Sequence, residues 1–340
     1  DDLNRFFCIE TFKEHYIPEH LKNGGCRSVA DFEKVERIGE GTYGIVYSGI
    51  DVATKDLYAL KKIKMDGEKD GISFSTLREI NILLNIKHDN VVNLREVVVG
   101  RNLNDMYLVM DYCEQDLATL IDNMIVPFAE PQIKCILMQF FEGVHFLHTS
   151  SIVHRDLKVS NMLINKDGII KIADFGMARL FSNNITKMTT KVVTIWYRPP
   201  EVLFGIDIQT FNTDMWSCGC IMAELLLNKP ILPGKGEIQQ IDLIIKLLGT
   251  PNENIWPDIV NLPLYKKQVF IQQPYNNLKS HFPWVSDSCY RILNSLFVYD
   301  PTQRATAKMC LNSSYFKESP LPCDPCHIPI LPRKQTVKSK

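Results

Sequence analysis

The sequence lacks several features that would place the protein in a special class. It has no unbroken apolar stretch of the roughly 18 residues that a membrane helix requires, since Gln139 and Glu142 interrupt the best run, 135–147. Its net charge is only −1, so no global field attracts nucleic acid or an anionic membrane. The start of the chain lacks the basic and then apolar order of a secretory signal, which predicts a protein of the nucleus and cytoplasm.

The ten cysteines show no pattern of a disulfide framework. Cys135, Cys218 and Cys220 lie in apolar segments, where a free thiol behaves as a small hydrophobe in a reducing compartment. Cys323 and Cys326 have the two-residue gap of a zinc knuckle, but no second Cys or His pair at matching spacing accompanies them. The sequence therefore predicts no structural zinc.

The first third of the chain has the pattern of an antiparallel sheet. Short runs rich in β-branched and aromatic residues alternate there with turn residues. One helical stretch interrupts them, with apolar residues at three- and four-residue spacing from Leu77 to Leu84 and Ser75 as the expected N-cap. The predicted strands are 35–38, 45–50, 57–65, 91–99 and 106–110.

Beyond the fifth predicted strand, the periodicity is mostly helical. The predicted helices are 116–124, 131–148, 213–227 and 238–248. The 340 residues are enough for two separate cores, and we expect an α+β protein with a β-rich lobe at 32–112 and a mainly helical lobe at 113–317. Residues 1–31 are expected to form an N-terminal extension, and 318–340 a Pro-rich, basic and disordered tail.

A glycine-rich loop, Gly39-x-Gly41-x-x-Gly44, lies between the first two predicted strands. A dinucleotide-binding loop of this spacing needs a helix at its third glycine, whereas Ile45 and Val46 continue as a strand. Glycines at a hairpin tip let backbone amides approach phosphates, because no Cβ blocks them. Taken alone, the motif favours a tight hairpin without a ligand.

Lys61 stands near the end of an apolar strand, where an unpartnered ammonium would be costly to desolvate. The expected partners are ATP phosphates and Glu79 on the predicted helix. The alternative is a lysine that extends to solvent, as Lys62 and Lys64 are expected to do.

The strongest signal is the segment His-Arg-Asp-Leu-Lys-Val-Ser-Asn at 154–161, followed by Asp-Phe-Gly at 174–176. Phosphoryl transfer requires in-line positioning and cations more than covalent chemistry. Asp156 suits a base that accepts the proton of the attacking hydroxyl, and Lys158 would offset charge on the transferring group. Asn161 and Asp174 would hold two magnesium ions.

The order of these motifs resembles the two-lobed protein kinase fold over nearly all of residues 32–317. By this resemblance, Glu201 closes the activation segment and Arg304 pairs with it. Pro199 stands where kinases usually have Ala, which removes an amide donor beside the substrate platform. The resemblance implies a Ser/Thr protein kinase that uses ATP and Mg²⁺.

The resemblance also implies which residues bind ATP. Apolar side chains would enclose the adenine, the backbone of Asp111 and Cys113 would bind it, and Met110 would gate the rear pocket. Apolar lining is also what a core requires, so composition alone does not separate these alternatives. The implied ATP-binding residues are Ile38, Gly39, Glu40, Gly41, Thr42, Tyr43, Gly44, Ile45, Val46, Ala59, Lys61, Glu79, Met110, Asp111, Cys113, Asp116 and Leu163.

Closer motifs resemble the cyclin-dependent kinase family. The segment 75–79 resembles its cyclin-binding helix, 247–251 the start of its insert, and 189–198 its activation segment. The resemblance implies a cyclin partner and a role in the cell cycle or transcription. Four motifs resemble the subgroup that pairs with cyclin M, at 26–29, 114–117, 159–160 and 274–278.

By the same resemblance, Arg78, Arg155 and Arg179 converge in the folded protein. Guanidiniums do not deprotonate to relieve their repulsion, so the three would need an anion. Phosphothreonine at Thr189 would supply roughly −1.5 to −2 charges. Thr190 is a less favoured acceptor, and the alternative is three arginines paired with local carboxylates.

Val192, Val193 and Arg198 lie where the family forms its pocket for the residue after the acceptor. Proline brings no amide that needs a partner there, so Ser-Pro and Thr-Pro substrates are implied. Thr42 and Tyr43 match positions where phosphorylation inhibits the family. For both, a role only in packing or capping the hairpin is an equal alternative.

Two rival functions stand beside this interpretation. One is a catalytically inactive scaffold with the same fold, against which the intact Lys61, Asp156, Asn161 and Asp174 argue. The other is a kinase of small metabolites, which gives no account of the long activation segment.

Overall fold

The computed structural model describes residues 5–8, 13–16, 26–41, 44–64, 72–100, 105–181, 195–206, 209–267 and 269–331. The chain divides into two compact units: unit 1 contains residues 1–84 and 93–112, and unit 2 contains residues 85–92 and 113–340. Across these described ranges, every helix is too short or too polar to cross a lipid bilayer.

Unit 1 contains a hairpin and a five-stranded sheet. The hairpin pairs β1 (Arg5–Cys8) with β2 (Lys13–Tyr16). The sheet consists of β3 (Phe32–Gly41), β4 (Gly44–Asp51), β5 (Leu57–Ile63), β6 (Leu94–Val99) and β7 (Met106–Asp111). It is antiparallel, in the order β3-β4-β5-β7-β6, which confirms the predicted sheet. Its core cluster is Phe32, Leu60, Val98, Tyr107 and Val109. Four of the five are the β-branched or aromatic side chains expected on the buried face of a sheet.

Helix α1 (Phe74–Leu84) follows the third strand of this sheet. The hydroxyl of Ser73 accepts a hydrogen bond from the Thr76 amide at 3.2 Å, so Ser73 is the N-cap. The prediction of Ser75 as the N-cap is therefore wrong, because Ser75 already lies in the first helical turn. The buried face of α1 consists of Thr76, Glu79, Ile82 and Leu83.

Unit 2 is mainly helical, as predicted. Its helices are α2 (Leu117–Asn123), α3 (Glu130–Thr149), α4 (Pro200–Leu203), α5 (Phe211–Leu227), α6 (Glu237–Leu248), α7 (Leu278–His281), α8 (Asp287–Leu296) and α9 (Ala307–Leu311). Every residue from Thr213 to Leu225 in α5 is buried, which is typical of a helix at the centre of a core. The short strands are β8 (Gln115–Asp116), β9 (Ile152–Val153), β10 (Met162–Ile164), β11 (Ile170–Ile172) and β12 (Arg179–Leu180).

Residues 318–331, which we call the C-terminal strap, pack against α3. The ammonium of the fully buried Lys134 donates to the carbonyl oxygens of Glu318 at 3.0 Å and Pro320 at 2.8 Å. A buried ammonium needs such acceptors, so these bonds hold the strap in place. The prediction of disorder is wrong for the strap, while residues 332–340 lie outside the described ranges.

Candidate active site

The loop after β9 brings Asp156, Lys158 and Asn161 together. Oδ2 of Asp156 accepts from Nζ of Lys158 at 2.8 Å and from Nδ2 of Asn161 at 3.1 Å. Nδ2 of Asn161 also donates to the carbonyl oxygen of Asp156 at 2.7 Å. The loop is therefore closed on itself, and it fixes the carboxylate of Asp156 beside an ammonium.

The environment of Asp156 favours its protonated form more than water does. Burial raises the pKa of this carboxyl, and the negative charge of Asp174 raises it further. Lys158 opposes both effects, but the net pKa remains above its ordinary value. A raised pKa makes Asp156 a stronger proton acceptor, which is what a general base requires.

The carboxylate of Asp214, in α5, anchors the loop by accepting hydrogen bonds from its backbone. Oδ2 accepts from the His154 amide at 2.9 Å and Oδ1 from the Arg155 amide at 2.8 Å. Nε2 of His148 lies 3.0 Å from the same Oδ2. Arg155 is held at φ +71°, a left-handed conformation that disfavours side chains. The sequence predicted only a helix at 213–227, which contains Asp214, and gave no local sign of this positioning role.

His154 connects the loop to the Asp-Phe-Gly segment. Its Nδ1 accepts from the Asp156 amide at 3.3 Å, so Nε2 carries the proton and donates to the Ala173 carbonyl oxygen at 3.1 Å. The imidazole also meets the buried ring of Phe175 edge-on, with centroids 5.0 Å apart. These contacts place the start of the Asp-Phe-Gly segment beside the catalytic loop.

Asp174 has the geometry of a carboxylate prepared for a ligand. Its backbone is left-handed, with φ +67°, and its Oδ1 is buried without a hydrogen-bond donor. The Ala173 amide donates to the carbonyl oxygen of Asn161 at 2.9 Å, so the two predicted metal ligands belong to adjoining segments. A buried carboxylate oxygen without a donor is costly, and a hard cation would offset that cost.

Within unit 1, Lys61 and Glu79 form the predicted ion pair. Nζ of Lys61 lies 2.6 Å from Oε1 of Glu79, and the side chains are 14% and 2% exposed. Lys61 faces Val46 and Leu108 in the registers of the neighbouring strands. The sheet therefore directs this lysine to the helix rather than to open solvent.

The other predicted ATP-binding residues lie in both units. In unit 1, Ala59 pairs with Met110 in the sheet register, and the Asp111 amide donates to the Asn93 carbonyl oxygen at 3.1 Å. In unit 2, Asp116 caps α2 through its bond from the Thr119 amide at 2.8 Å. The remaining residues are Ile38, Gly39, Gly44, Ile45 and Val46 in β3 and β4, Cys113 after the division between units, and Leu163 in β10. The side chains of Glu40 to Tyr43 lie outside the described residues.

Two of the three predicted phosphate-binding arginines meet in unit 2. The guanidiniums of Arg155 and Arg179 both approach the Met177 carbonyl oxygen, at 3.4 Å and 3.0 Å. Arg155 also donates to Oε1 of Gln209 at 2.7 Å. Arg78 belongs to unit 1. Thr189, Thr190, Val192 and Val193 lie outside the described residues, as do Thr42 and Tyr43.

The end of the predicted activation segment is fixed by a buried ion pair. The guanidinium of Arg304 forms two bonds with the carboxylate of Glu201, at 2.9 Å and 3.0 Å. Pro199 occupies the N-cap position of α4, where its missing amide leaves no helical bond unmade. Arg198 lies 3.0 Å from Glu237 in α6.

Two features define the class of this protein as a Ser/Thr protein kinase, which uses ATP. One is the five-stranded sheet with its lysine–glutamate pair, and the other is the anchored His-Arg-Asp loop in the helical unit. A family model described as "Protein kinase domain" matches residues 32–316.

Comparison with curated proteins narrows the class further. The chain is 54% identical over 338 residues to cyclin-dependent kinase 10 of Mus musculus, covering 99% of this chain and 94% of that protein. It is 54% identical to the Homo sapiens cyclin-dependent kinase 10, covering 98% and 93%, and 46% identical to the Homo sapiens cyclin-dependent kinase 11B, covering 94% and 40%. The chain belongs to the cyclin-dependent kinase family and is similar to cyclin-dependent kinase 10 over nearly its whole length.

Proposed function

We propose that this kinase transfers the γ-phosphate of ATP to Ser-Pro or Thr-Pro sites in other proteins, after a cyclin binds and its activation segment is phosphorylated. One observation carries the catalytic part of the proposal. The carboxylate of Asp156, whose side chain is 10% exposed, has a raised pKa and is held by Lys158 and Asn161, which is the arrangement that a base for an attacking hydroxyl needs.

In this mechanism, the oxygen of the substrate hydroxyl attacks the γ-phosphorus while Oδ2 of Asp156 accepts the proton of that hydroxyl. The bond from that phosphorus to the oxygen bridging to the β-phosphate breaks, and ADP leaves. The ammonium of Lys158, 2.8 Å from the base, stabilises negative charge on the transferring group. Because the transition state is loose, placement of these two side chains matters more than covalent chemistry.

Asn161 and Asp174 are the proposed magnesium ligands. Oδ1 of Asp174 is buried and accepts no hydrogen bond, so it suits a hard cation, which prefers carboxylate and carbonyl oxygens. Within the described ranges, no group of three or more His, Cys, Asp or Glu side chains could hold a metal by itself. ATP phosphates and water would therefore complete the coordination. When bound, Mg²⁺ supplies positive charge to the phosphates.

We assign ATP contacts to both units. Lys61, oriented by Glu79, would bind the phosphates. The amide of Asp111 is committed to Asn93, so its adenine contact would be through the carbonyl oxygen. Met110 would line the rear of the adenine pocket, and Cys113 would offer a further backbone contact.

The exposed face of α1 supports a cyclin as partner. Phe74 is 85% exposed, Leu77 46% and Leu84 60%, and their spacing places all three on one side of the helix. That side is opposite the buried face, so an apolar stripe is presented outward. We propose that a cyclin covers it and that the partner is cyclin M, as the subgroup motifs imply.

Phosphorylation at Thr189 is the proposed second activating step. The approach of Arg155 and Arg179 to one carbonyl oxygen concentrates positive charge beside the catalytic loop. A phosphothreonine would bind there, with Arg78 as the third ligand by family resemblance. Phosphorylation of Thr42 or Tyr43 would act in the opposite sense.

We propose that the kinase prefers proline after the acceptor residue of its substrate, because Val192, Val193 and Arg198 match the family's pocket for that residue. We also propose a kinase domain at 32–317, with an extension before it and the strap and basic tail after it.

Most free cysteines of the described ranges are buried, which is typical of proteins of the nucleus and cytoplasm.

The catalytic proposal is tested by phosphate incorporation with the purified cyclin complex. Asp156→Asn should lower the turnover number by about 10²–10⁴-fold, because the amide does not accept the hydroxyl proton. Asp167→Asn, on an exposed turn, is the matched control and should keep full activity. Equal incorporation by Asp156→Asn and the unmodified kinase would overturn the proposed base. A Ser-Ala peptide phosphorylated as well as its Ser-Pro counterpart would remove the proline preference.

A further inference from the structure

Three cysteines lie where the C-terminal strap crosses α3. Cys135 is in α3 and is 4% exposed, Cys323 is half-buried, and Cys326 is exposed. None of them contributes to the proposed kinase chemistry.

The backbone brings Cys135 and Cys323 to the same point. The Cys323 amide donates to the Pro131 carbonyl oxygen at 3.1 Å. Inside α3, the carbonyl of Pro131 is also the i−4 acceptor for the amide of Cys135. Two amides that meet at one oxygen bring their Cα atoms close, which is the first requirement for a disulfide. The Cys323 thiol also lies near enough to Cys135 to help burial raise the pKa of the Cys135 thiol.

The strap has little freedom to move away from this point. The Lys134 ammonium, one residue before Cys135, holds the carbonyl oxygens of Glu318 and Pro320. Further along, Pro325 passes so close to Gly168 that any side chain at 168 would collide with its carbonyl oxygen. Contacts on both sides of Cys323 therefore fix its distance from α3.

We propose that Cys135 and Cys323 are a modification site, at which a disulfide oxidant such as glutathione disulfide joins them in a reversible bond that fastens the strap to α3.

The reaction balances as two thiol–disulfide exchanges. The half-buried Cys323 loses its proton and attacks one sulfur of glutathione disulfide, which breaks the sulfur–sulfur bond and releases one glutathione. Cys135 then loses its proton and attacks the sulfur of Cys323, which releases the second glutathione. The two cysteines give up two protons and two electrons, and glutathione disulfide is reduced to two thiols.

Cys326 is the competing partner for Cys323, since the pair forms a Cys-x-x-Cys motif. Asp324 holds the backbone at Cys326, because its Oδ1 accepts a hydrogen bond from the Cys326 amide at 3.0 Å. The bond from the Cys326 amide orders the turn Pro325–His327. Cys135 is the proposed partner of Cys323 because the Cys323 amide is already bound to α3, and a Cys323–Cys326 bond is the alternative that the test must exclude.

The burial of Cys135 governs the rate. Burial raises the pKa of its thiol to about 11, so only a small fraction is thiolate at neutral pH. The second exchange should therefore accelerate by about tenfold for each unit by which the pH rises towards that pKa. The bond is expected to form slowly at neutral pH and to persist until a reductant reaches it.

The test uses the full-length kinase in glutathione buffers of increasing oxidising strength. Digestion without reductant and mass spectrometry should find a peptide that joins Cys135 to Cys323, two hydrogens lighter than the separate peptides. Cys326→Ser should retain this peptide, and Cys323→Ser should abolish it. A Cys323–Cys326 bond, or fully reduced cysteines in excess glutathione disulfide, would overturn the proposal.

Limited proteolysis supplies the second readout. Oxidation should slow cleavage in the strap by about tenfold, because the disulfide opposes local opening. Cys323→Ser, at a half-buried position, should remove the difference between oxidised and reduced protein without preventing folding. A crosslinked protein whose strap is cleaved as fast as before would show that the bond does not fasten it. The assay does not depend on kinase activity, so a failed catalytic proposal would leave it interpretable.

Discussion

Replacing Asp214 by Asn would test how the catalytic loop is held. The buried carboxylate receives the amides of His154 and Arg155 and the imidazole of His148, all within 2.8–3.0 Å. Asn has one acceptor oxygen, and its amide group would face at least one of these donors. We expect one or two charge-assisted bonds to be lost, together with the hold on the left-handed Arg155.

The magnitude follows from the hydrogen bonds. A bond to a charged group contributes about 1.5–3 kcal/mol, and a buried donor without an acceptor costs about 1–3 kcal/mol. The free energy of unfolding should therefore fall by about 2–5 kcal/mol. Once Arg155 relaxes, Asp156 shifts, and a misplacement of about 1 Å costs up to about 10²-fold in rate. The turnover number should fall while the KM for ATP changes little.

The pH dependence gives an independent check. Burial raises the pKa of Asp214, but the hydrogen bond and charge of His148 outweigh it and leave the pKa below the ordinary 3.8. The stabilisation by this carboxylate is therefore fully present at neutral pH and is lost only as the pH falls through the lowered pKa. The difference in stability between Asp214→Asn and the unmodified protein should shrink as the pH falls below about 4, because the unmodified Asp214 then takes up a proton.

The assay combines urea unfolding with steady-state kinetics of the cyclin complex. Asp258→Asn, at an exposed position, is the control for loss of one charge. The reasoning would be refuted if Asp214→Asn kept its turnover number while losing stability. Loss of activity only in proportion to the unfolded fraction would count equally against a positioning role.

Three further predictions concern buried groups and the exposed helix face. Arg304→Ala should lower the free energy of unfolding by about 3–5 kcal/mol, because Glu201 is left charged and buried; an unchanged urea midpoint would contradict this. Burial raises the pKa of Glu224 to about 7, so the folded state keeps a proton that the unfolded chain loses above pH 4.5. Stability should fall by up to about 3 kcal/mol across that interval, and urea titrations of Glu224→Gln should lack the slope. Leu77→Asp should weaken cyclin binding by at least about tenfold with an unchanged melting temperature, and a fully retained complex in a surface-binding assay would remove α1 from the interface.

The catalytic loop was predictable because its members are close in sequence. Asp156, Lys158 and Asn161 lie within six residues, and the structure joins them by hydrogen bonds at that short range. Lys61 and Glu79 are 18 residues apart, and the strand and helix periodicities already placed them on neighbouring elements. Residue type and local spacing were sufficient for both groups.

The cap of α1 and the strap were not predictable in the same way. Ser73 and Ser75 are both acceptable caps by composition, and only the backbone geometry selects Ser73. Prolines and charges indicated disorder after residue 317, whereas the buried ammonium of Lys134 needs backbone acceptors from that segment. The carbonyl oxygen of Glu318 that accepts from Lys134 lies 184 residues along the chain, so no local sequence pattern predicts this bond.

The sequence by itself determined the class of the protein, the five-stranded sheet, the longer helices and the residues proposed to carry the chemistry, because side-chain identity and periodicity are local properties. Only the tertiary structure decided that Asp214 anchors Arg155 across 59 residues, that Oδ1 of Asp174 lacks a donor, and that Cys323 meets α3. Those relations depend on which distant surfaces pack together, and burial then sets the pKa values and hydrogen-bond demands of the groups enclosed.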